Sequence, residues 1–331
     1  MIGVTGINLD LADAMRTTLD NAPVWDWDPR LDPEAVIDQQ GIKPTVRSAG
    51  RRWYLQDRVW SNHPDLIFFR SNTRDDTWPR LSHEEALAFC SFVGLSGGIV
   101  KLGDKLVDLE AEQLDAIRRL LPTYGVSARP LDVFTREFPE VWELEVEGVD
   151  GYGESYLVYG LFNWGWNLDL SENPPAEIPD GGSREHRIAL GEGDFLAYEF
   201  WTGEFLGELS SELDYSVPEH SGRVIAVRER TGDPQFLGWN RQITMGGVLL
   251  ESVEWDGSVL ELRAPVVPGR PEALFTWELA FYLPEGAEGA TVEVEGVEIE
   301  GLELIAEGSL ARVRFDALEL GEAVVSVTPE S

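Results

Sequence analysis

The sequence predicts an α/β region followed by an all-β region, and three observations support this fold class. Up to about residue 130, short apolar segments alternate with helical patterns, which is typical of parallel strands joined through helices. Beyond that point, apolar and polar residues alternate with the period of a half-buried strand. Glycine and proline turns separate these later segments at close intervals, which favours an antiparallel β-sandwich.

Two helices are predicted in the α/β region. Ser82 and Glu85 form a capping box ahead of the apolar run 86–93, so a helix is expected to begin there. A second helix is predicted over 108–121, because its apolar residues fall on one face and Pro122 follows as a stop signal. Short buried strands are predicted at 67–69 and 97–102.

The all-β region is predicted from alternation that recurs over its whole length. The apolar positions of these segments are Trp142, Leu144 and Val146; Tyr156 and Val158; Val292 and Val294; Val313 and Phe315; Val325 and Val327. The change of pattern between Pro122 and Pro130 predicts a domain boundary, with one domain at 1–125 and a β-sandwich domain at 126–331.

The composition is strongly acidic throughout the chain. Sixty acidic residues stand against 26 basic ones, giving a formal net charge of −34, and the only lysines are Lys43, Lys101 and Lys105. Acidic residues spread over a globular chain with few lysines indicate a halophilic protein, from a salt-loving archaeal host. At 1 M salt the repulsion between surface carboxylates is screened within about 3 Å.

This charge also excludes several classes of partner. A negative surface without a basic stripe repels phosphate backbones and anionic membranes, so neither nucleic acid nor a membrane is expected as a partner. We expect a soluble cytoplasmic protein, because the sequence has no secretory leader pattern and no run of about 18 apolar residues. The single cysteine, Cys90, is predicted to be a core residue.

The segment from Met15 to Trp25 holds the most specific motif of the chain. Arg16 and Asp20 are four residues apart, and Pro23 and Trp25 follow closely. This order resembles the general acid/base segment of α-galactosidase-type glycoside hydrolases, clan D, nearest to family 36. The resemblance implies that Asp20 is the acid/base residue and that Arg16 lies in the sugar pocket. Trp25 is assigned to the same pocket as a surface for the sugar ring.

Further segments resemble the same family in the same order along the chain. They are Trp60 to Leu66, Leu95 to Gly98 with Gly103 and Asp104, Ala128 to Asp132, and Leu161 to Trp164 with His220. The resemblance implies the last strands of a (β/α)8 TIM barrel followed by an antiparallel β-sandwich, a carbohydrate substrate and no cofactor.

Two departures and the size of the α/β region modify this expectation. His63 stands where the family has an aspartate, and Val4 stands about where a pocket cysteine is expected. A (β/α)8 barrel takes roughly 250 residues, about twice the predicted α/β region. By the resemblance the strand with the nucleophile is absent, so we expect activity to need an N-terminal barrel polypeptide, a lost upstream segment or a homo-oligomer.

Other interpretations of these residues remain open. Asp20 could be a loop residue that bonds its own backbone before Pro23, and the chain could be a noncatalytic carbohydrate-binding or structural subunit. The run Gly94 to Gly98 matches a nucleophile elbow, but that motif needs a strand before the turn and a helix after it. Asp26, Asp28 and Asp32 imitate a calcium loop but lack its turn glycine.

Overall fold

The computed structural model describes residues 11–26, 41–69, 81–148, 155–269, 276–287 and 289–330. Val4, Asp28 and Asp32 lie outside these ranges. The chain divides into two compact units, of which the first contains 1–144, 159–187 and 214–223, and the second contains 145–158, 188–213 and 224–331. The predicted division at residue 125 falls inside the first unit.

The α/β region consists of short parallel strands and three helices. Its elements in order are β1 Ala14–Arg16, α1 Ile42–Gly50, β2 Ser61–His63, β3 Leu66–Ile67, α2 His83–Leu95, β4 Lys101–Leu102 and α3 Ala111–Arg118. Strand β1 pairs with β2 and strand β3 pairs with β4, both in parallel. A helix lies between the two strands of each pair along the chain, as the alternation predicts.

Both predicted helices are present. Helix α2 begins at the predicted capping box, where the Glu85 backbone N–H donates to Ser82 Oγ at 3.1 Å and the Ser82 N–H donates to Glu85 Oε2 at 2.7 Å. Its residues from Ala86 onward are buried, and Cys90 among them is fully buried, as predicted. Helix α3 is shorter than predicted, because Glu110 caps its first turn.

A six-stranded sheet follows, together with two two-stranded sheets. The remaining strands up to residue 229 are β5 Arg129–Pro130, β6 Val141–Val146, β7 Tyr156–Asn163, β8 Asn167–Asp169, β9 Ala176–Ile178, β10 Arg184–Ala189, β11 Phe195–Glu199, β12 Phe205–Leu209, β13 Glu212–Val217 and β14 Ser221–Glu229. The sheet has the order β12-β11-β14-β7-β6-β5, while β8 pairs with β9 and β10 pairs with β13.

The last part of the chain is an antiparallel sandwich. Its strands are β15 Gln235–Trp239, β16 Ser252–Trp255, β17 Leu260–Val266, β18 Trp277–Tyr282, β19 Gly289–Glu295, β20 Ile299–Glu307, β21 Leu310–Ala317 and β22 Gly321–Glu330. They form two four-stranded sheets of order β15-β18-β21-β20 and β16-β17-β22-β19. Apolar side chains of both sheets, including Trp277, Phe315 and Val325, make up one buried cluster.

The described residues are therefore mostly sheet with few helices, and the antiparallel sandwich predicted for the C-terminal part is present. A TIM-barrel portion was also predicted. The described parallel strands are two pairs and do not establish a barrel. Among the helices of the described ranges, none is long and apolar enough to cross a membrane.

Candidate active site

The candidate site lies where strands β1 and β2 end. Arg16 is the last residue of β1 and pairs in register with His63, the last residue of β2. Because the two strands are parallel, both side chains stand at the same edge. The carboxyl ends of parallel strands are where α/β proteins place their ligands and catalytic groups.

Arg16 lies between two carboxylates in different surroundings. Its Nη1 is 2.6 Å from Asp20 Oδ1 and 3.6 Å from Asp65 Oδ2. The side chain of Asp20 is 68% exposed, whereas that of Asp65 is 8% exposed. Of these two, Asp20 is therefore the carboxylate that a ligand from solvent can reach.

Asp65 ties the segment after β1 to the segment after β2. The Asn21 backbone N–H donates to Asp65 Oδ2 at 2.6 Å, and the Asn21 side-chain amide donates to the Leu66 carbonyl at 2.9 Å. Asp65 has φ of 72°, a left-handed conformation that aspartate tolerates better than most residues. These bonds fix the backbone next to Asp20. Asp65 itself is a positioning residue, since its Oδ2 accepts the Asn21 backbone N–H.

His63 is a half-buried imidazole beside this ion pair. Burial lowers the pKa of His63, while the charge of Asp65 raises it and the charges of Lys101 and Arg16 lower it further. Its Nε2 has no hydrogen-bond partner among the described residues. His63 therefore places a half-buried imidazole, with its Nε2 shielded from solvent, at the edge where the family resemblance implies an aspartate.

Trp25 lies in the packed interior. Only 8% of the residue is exposed, its indole N–H donates to the Trp164 carbonyl at 3.3 Å, and its ring stacks on His220 at a centroid distance of 4.9 Å. A sugar-stacking surface needs an accessible ring face, so this placement does not favour the pocket role predicted for Trp25. Arg16 and Asp20 are brought together, and Trp25 is held by other partners.

The other residues of the family-like segments act mainly as internal braces. The Gln56 side chain accepts from the Asn62 N–H at 2.7 Å and donates to the Gly125 carbonyl at 2.8 Å. A Cβ on Gly98 would lie 2.1 Å from the Asn62 carbonyl oxygen, so only glycine fits there. Asp104 accepts from the Phe69 N–H at 2.6 Å. These contacts hold the strand ends in place and leave no oxygen directed at Asp20.

The elbow-like segment does not form a nucleophile site. Ser96 follows helix α2, is buried, and donates its hydroxyl to the Val93 carbonyl at 2.7 Å. His186 and His220, which could supply a base, have other partners, since His186 Nε2 contacts the Phe162 carbonyl and His220 Nδ1 contacts Glu85. The interpretation of this run as a glycine-rich turn fits these contacts.

Two cavities lie near the parallel strands, and neither is lined by Arg16 or Asp20. A very small one, of about 10 Å³, touches Thr17, Asn62 and Pro64. An open depression of about 410 Å³ is lined by Asp13, Asp57 and neighbours at the amino ends of β1 and β2. Asp20 therefore faces open solvent at the opposite ends of the strands.

Sequence reasoning missed the role of Asp65. Its position directly after β2, in the segment that resembles the family, was the available signal. What could not be read from the sequence is that Asp65 bonds a backbone N–H far away along the chain, at Asn21.

Comparisons with known proteins give structural neighbours of one kind. No family model matches the sequence, and no curated protein matches it. One neighbour is α-galactosidase I from Mortierella vinacea, with 10% identity, a TM-score of 0.42, and coverage of 66% of this chain and 54% of that chain. Another is α-galactosidase from Saccharomyces cerevisiae, with 15% identity, a TM-score of 0.43, and coverage of 66% and 60%.

A third neighbour is the GH27 β-L-arabinopyranosidase from Geobacillus stearothermophilus, with 13% identity, a TM-score of 0.40, and coverage of 67% of this chain and 46% of that chain. This chain thus spans between 46% and 60% of the length of these three proteins. Identities and scores at this level do not place the chain in a family. The argument for function therefore rests on the residues and their geometry.

Proposed function

We propose that this chain carries the general acid/base half of a retaining glycoside hydrolase of the α-galactosidase type. The observation that carries the proposal is the Arg16–Asp20 ion pair at the carboxyl ends of parallel strands, with Asp20 open to solvent. A second support is the order of the family-like motifs along the sequence. The substrate class is an α-linked glycoside, and the reaction needs no cofactor.

Asp20 would protonate the departing glycosidic oxygen and then take a proton from the attacking water. This exchange of roles is the one that a retaining mechanism assigns to a single carboxyl group. Arg16 would hold Asp20 in place and donate to a sugar hydroxyl, because its guanidinium has more N–H groups than the two carboxylates use.

The nucleophile would come from outside the described residues. A retaining enzyme needs a second carboxylate about 5 to 5.5 Å from the first. Asp65 is unsuitable, because it is buried and its Oδ2 accepts the Asn21 N–H. We therefore propose that the early strands of a barrel complete the pocket around Asp20, either on a second polypeptide or upstream on the same protein, or that a second copy of this chain does so.

A second candidate is a noncatalytic carbohydrate-binding or structural subunit. The burial of Trp25 and the absence of Asp20 from the lining of both described cavities favour it. The two candidates differ in one simple respect. A catalytic half needs a partner with a lysine and an aspartate on one strand, whereas a noncatalytic subunit needs none.

The proposal is tested by activity with and without such a partner. The chain is produced alone and together with the polypeptide encoded directly upstream, in concentrated salt, and assayed on an aryl α-galactoside. We expect turnover only for the pair, and loss of about 100-fold or more in Asp20→Asn, in line with the usual contribution of general acid–base catalysis. Asp26→Asn is the control, since Asp26 is an exposed aspartate of the same loop that pairs with Lys43. Equal turnover of Asp20→Asn and wild type would overturn the acid/base role.

A further inference from the structure

A second cluster of charged side chains is formed by Asp180, Glu219 and His220. Each offers one ligand atom, and the three atoms lie within 4.8 Å of one another. Asp180 belongs to the segment between β9 and β10, and the other two belong to the turn between β13 and β14. All three are in the first compact unit.

The ring of His220 is oriented from two sides. Its Nδ1 is 3.1 Å from Glu85 Oε1, and its face stacks on Trp25. Glu85 is itself fixed by the capping box of helix α2. When the imidazole is neutral and donates Nδ1–H to Glu85, the lone pair lies on Nε2, which is 3.9 Å from Asp180 Oδ1. A carboxylate behind the histidine is the usual arrangement for a metal-binding imidazole.

The two carboxylates are held towards the same point by backbone donors. Asp180 Oδ1 accepts from the Trp166 N–H, and Glu219 Oε1 accepts from the Gly181 N–H. Each of these bonds uses one lone pair of one oxygen, and a carboxylate has about four acceptor sites. Both groups therefore keep acceptor capacity for a cation next to His220 Nε2.

The charge around His220 is unbalanced. Three carboxylates, those of Glu85, Asp180 and Glu219, surround one imidazole, and the nearby Arg184 pairs with Glu140. The two carboxylates of the cluster carry two negative charges, which a divalent cation would compensate.

We propose that Asp180, Glu219 and His220 bind a divalent transition-metal cation, with Zn²⁺ as the best match. One imidazole nitrogen and two carboxylates suit Zn²⁺, whereas Mg²⁺ and Ca²⁺ prefer oxygen ligands alone. At metal–ligand distances of about 2.0 to 2.2 Å, the ligand atoms of a tetrahedral site lie roughly 3.3 Å apart. The atoms of the cluster now lie within 4.8 Å of one another, so binding would draw the exposed Asp180 side chain inward and weaken its bond from the Trp166 N–H. A water would take the fourth position.

Binding of the cation is expected to cross-link two segments of the first unit. The cation would join the segment before β10 to the turn before β14. Through the stacked ring of His220 it would also fix Trp25, which lies in the segment after Asp20. The site is independent of the glycosidase proposal, because none of its ligands takes part in the proposed reaction.

The test is calorimetric titration of the full chain, without a polyhistidine tag, with Zn²⁺ alone. Concentrated KCl suppresses weak binding to the many surface carboxylates. We expect one saturable site, and a rise in the thermal midpoint on adding one equivalent of Zn²⁺. Asp180→Asn and Glu219→Gln keep the acceptor for the backbone N–H but lose the charge, so both should abolish the site without changing the metal-free midpoint.

Two further variants make the test specific. Glu85→Gln should weaken Zn²⁺ binding by about 10- to 100-fold, as expected for a group behind a ligating histidine. His83→Gln is the control, because His83 also contacts a carboxylate, Glu112 at 3.4 Å, but belongs to no cluster of three among the described residues. Zn²⁺ binding that is absent in wild type, or unchanged in Asp180→Asn and Glu219→Gln, would overturn the proposal.

Discussion

The α/β region and the C-terminal sandwich use their strands in different ways. Strands β1 to β4 have two or three residues each, and polar side chains such as Arg16 and His63 end them. Strands β15 to β22 have four to ten residues, and some of them, such as β17 and β22, alternate buried and partly exposed positions. The sandwich is therefore held by apolar packing, whereas the strand ends at the candidate site are held in addition by hydrogen bonds between side chains and backbone, such as those of Asp65 and Gln56.

The largest effect on stability is expected in the sandwich core. Trp277 is 1% exposed, and its ring stacks on Phe315 at a centroid distance of 6.3 Å. Trp277→Ala should lower the free energy of unfolding by about 3 to 5 kcal/mol, because it leaves a cavity between two sheets. Denaturant unfolding in concentrated salt measures this. Leu320→Ala, at a 75% exposed position, is the control and should change stability by less than about 0.5 kcal/mol. A loss below 1 kcal/mol for Trp277→Ala, on the order of a surface change, would break the comparison.

The buried His186 tests whether a polar side chain in an antiparallel strand also contributes to stability. His186 on β10 contacts the Phe162 carbonyl, and burial lowers its pKa to about 4, with the Phe162 bond opposing this. The unfolded chain binds this proton near pH 6.5, so the stability due to neutral His186 is present above pH 6.5 and is lost towards pH 4. Over this range wild type should lose about 3 kcal/mol more than His186→Gln, which keeps a donor but does not titrate. Parallel pH curves for the two proteins would contradict the prediction.

A smaller effect on stability is expected for Asp65, which bonds the Asn21 backbone at the candidate site. Asp65→Asn keeps the left-handed backbone and an acceptor for the Asn21 N–H, but it removes the charge next to Arg16. We expect a loss of about 1 kcal/mol in the free energy of unfolding. The matched control is Asp57→Asn, since Asp57 also has a positive φ, of 59°, but is exposed. Equal effects of the two substitutions would show that the Asp65 carboxylate does not anchor the loop.

The smallest effect concerns the acidic surface of the sandwich. Glu293 and Glu295 are exposed on β19 within a chain of net charge −34. Changing both to Gln should raise stability in dilute buffer by a few tenths of a kcal/mol, because repulsion between carboxylates falls. The difference should vanish in 1 M salt, where screening acts within about 3 Å. Thermal melting across salt concentrations measures it, with Thr291→Ser as a control that leaves the charge unchanged. A difference that does not change with salt would argue against the halophilic interpretation.

The sequence predicted the elements whose determinants are local. The capping box of Ser82 and Glu85 located helix α2, and alternation located the sandwich strands, because both depend on neighbouring residues. Helix α3 was predicted too long, since the cap at Glu110 is a weak signal. The short parallel strands were only partly predicted, because a strand of two residues has no period to detect.

Only part of the candidate site was predicted from the sequence. The family resemblance assigned both Arg16 and Asp20 to the site, and the structure joins them in an ion pair. The burial of Trp25 and the bond from Asn21 to Asp65 depend on residues distant along the chain, Trp164 and Asp65. No local pattern encodes such contacts. The role of each site residue in catalysis stays a prediction.

The most direct test of the central proposal, that Asp20 transfers the proton, compares leaving groups. The pair of polypeptides with Asp20→Ala is assayed on aryl α-galactosides whose phenols differ in acidity, with and without azide. We expect near-complete loss for the poorest leaving group, a small loss for a dinitrophenyl leaving group, and acceleration by azide, which attacks without a general base. The same loss for every leaving group, with no acceleration by azide, would contradict the proposal.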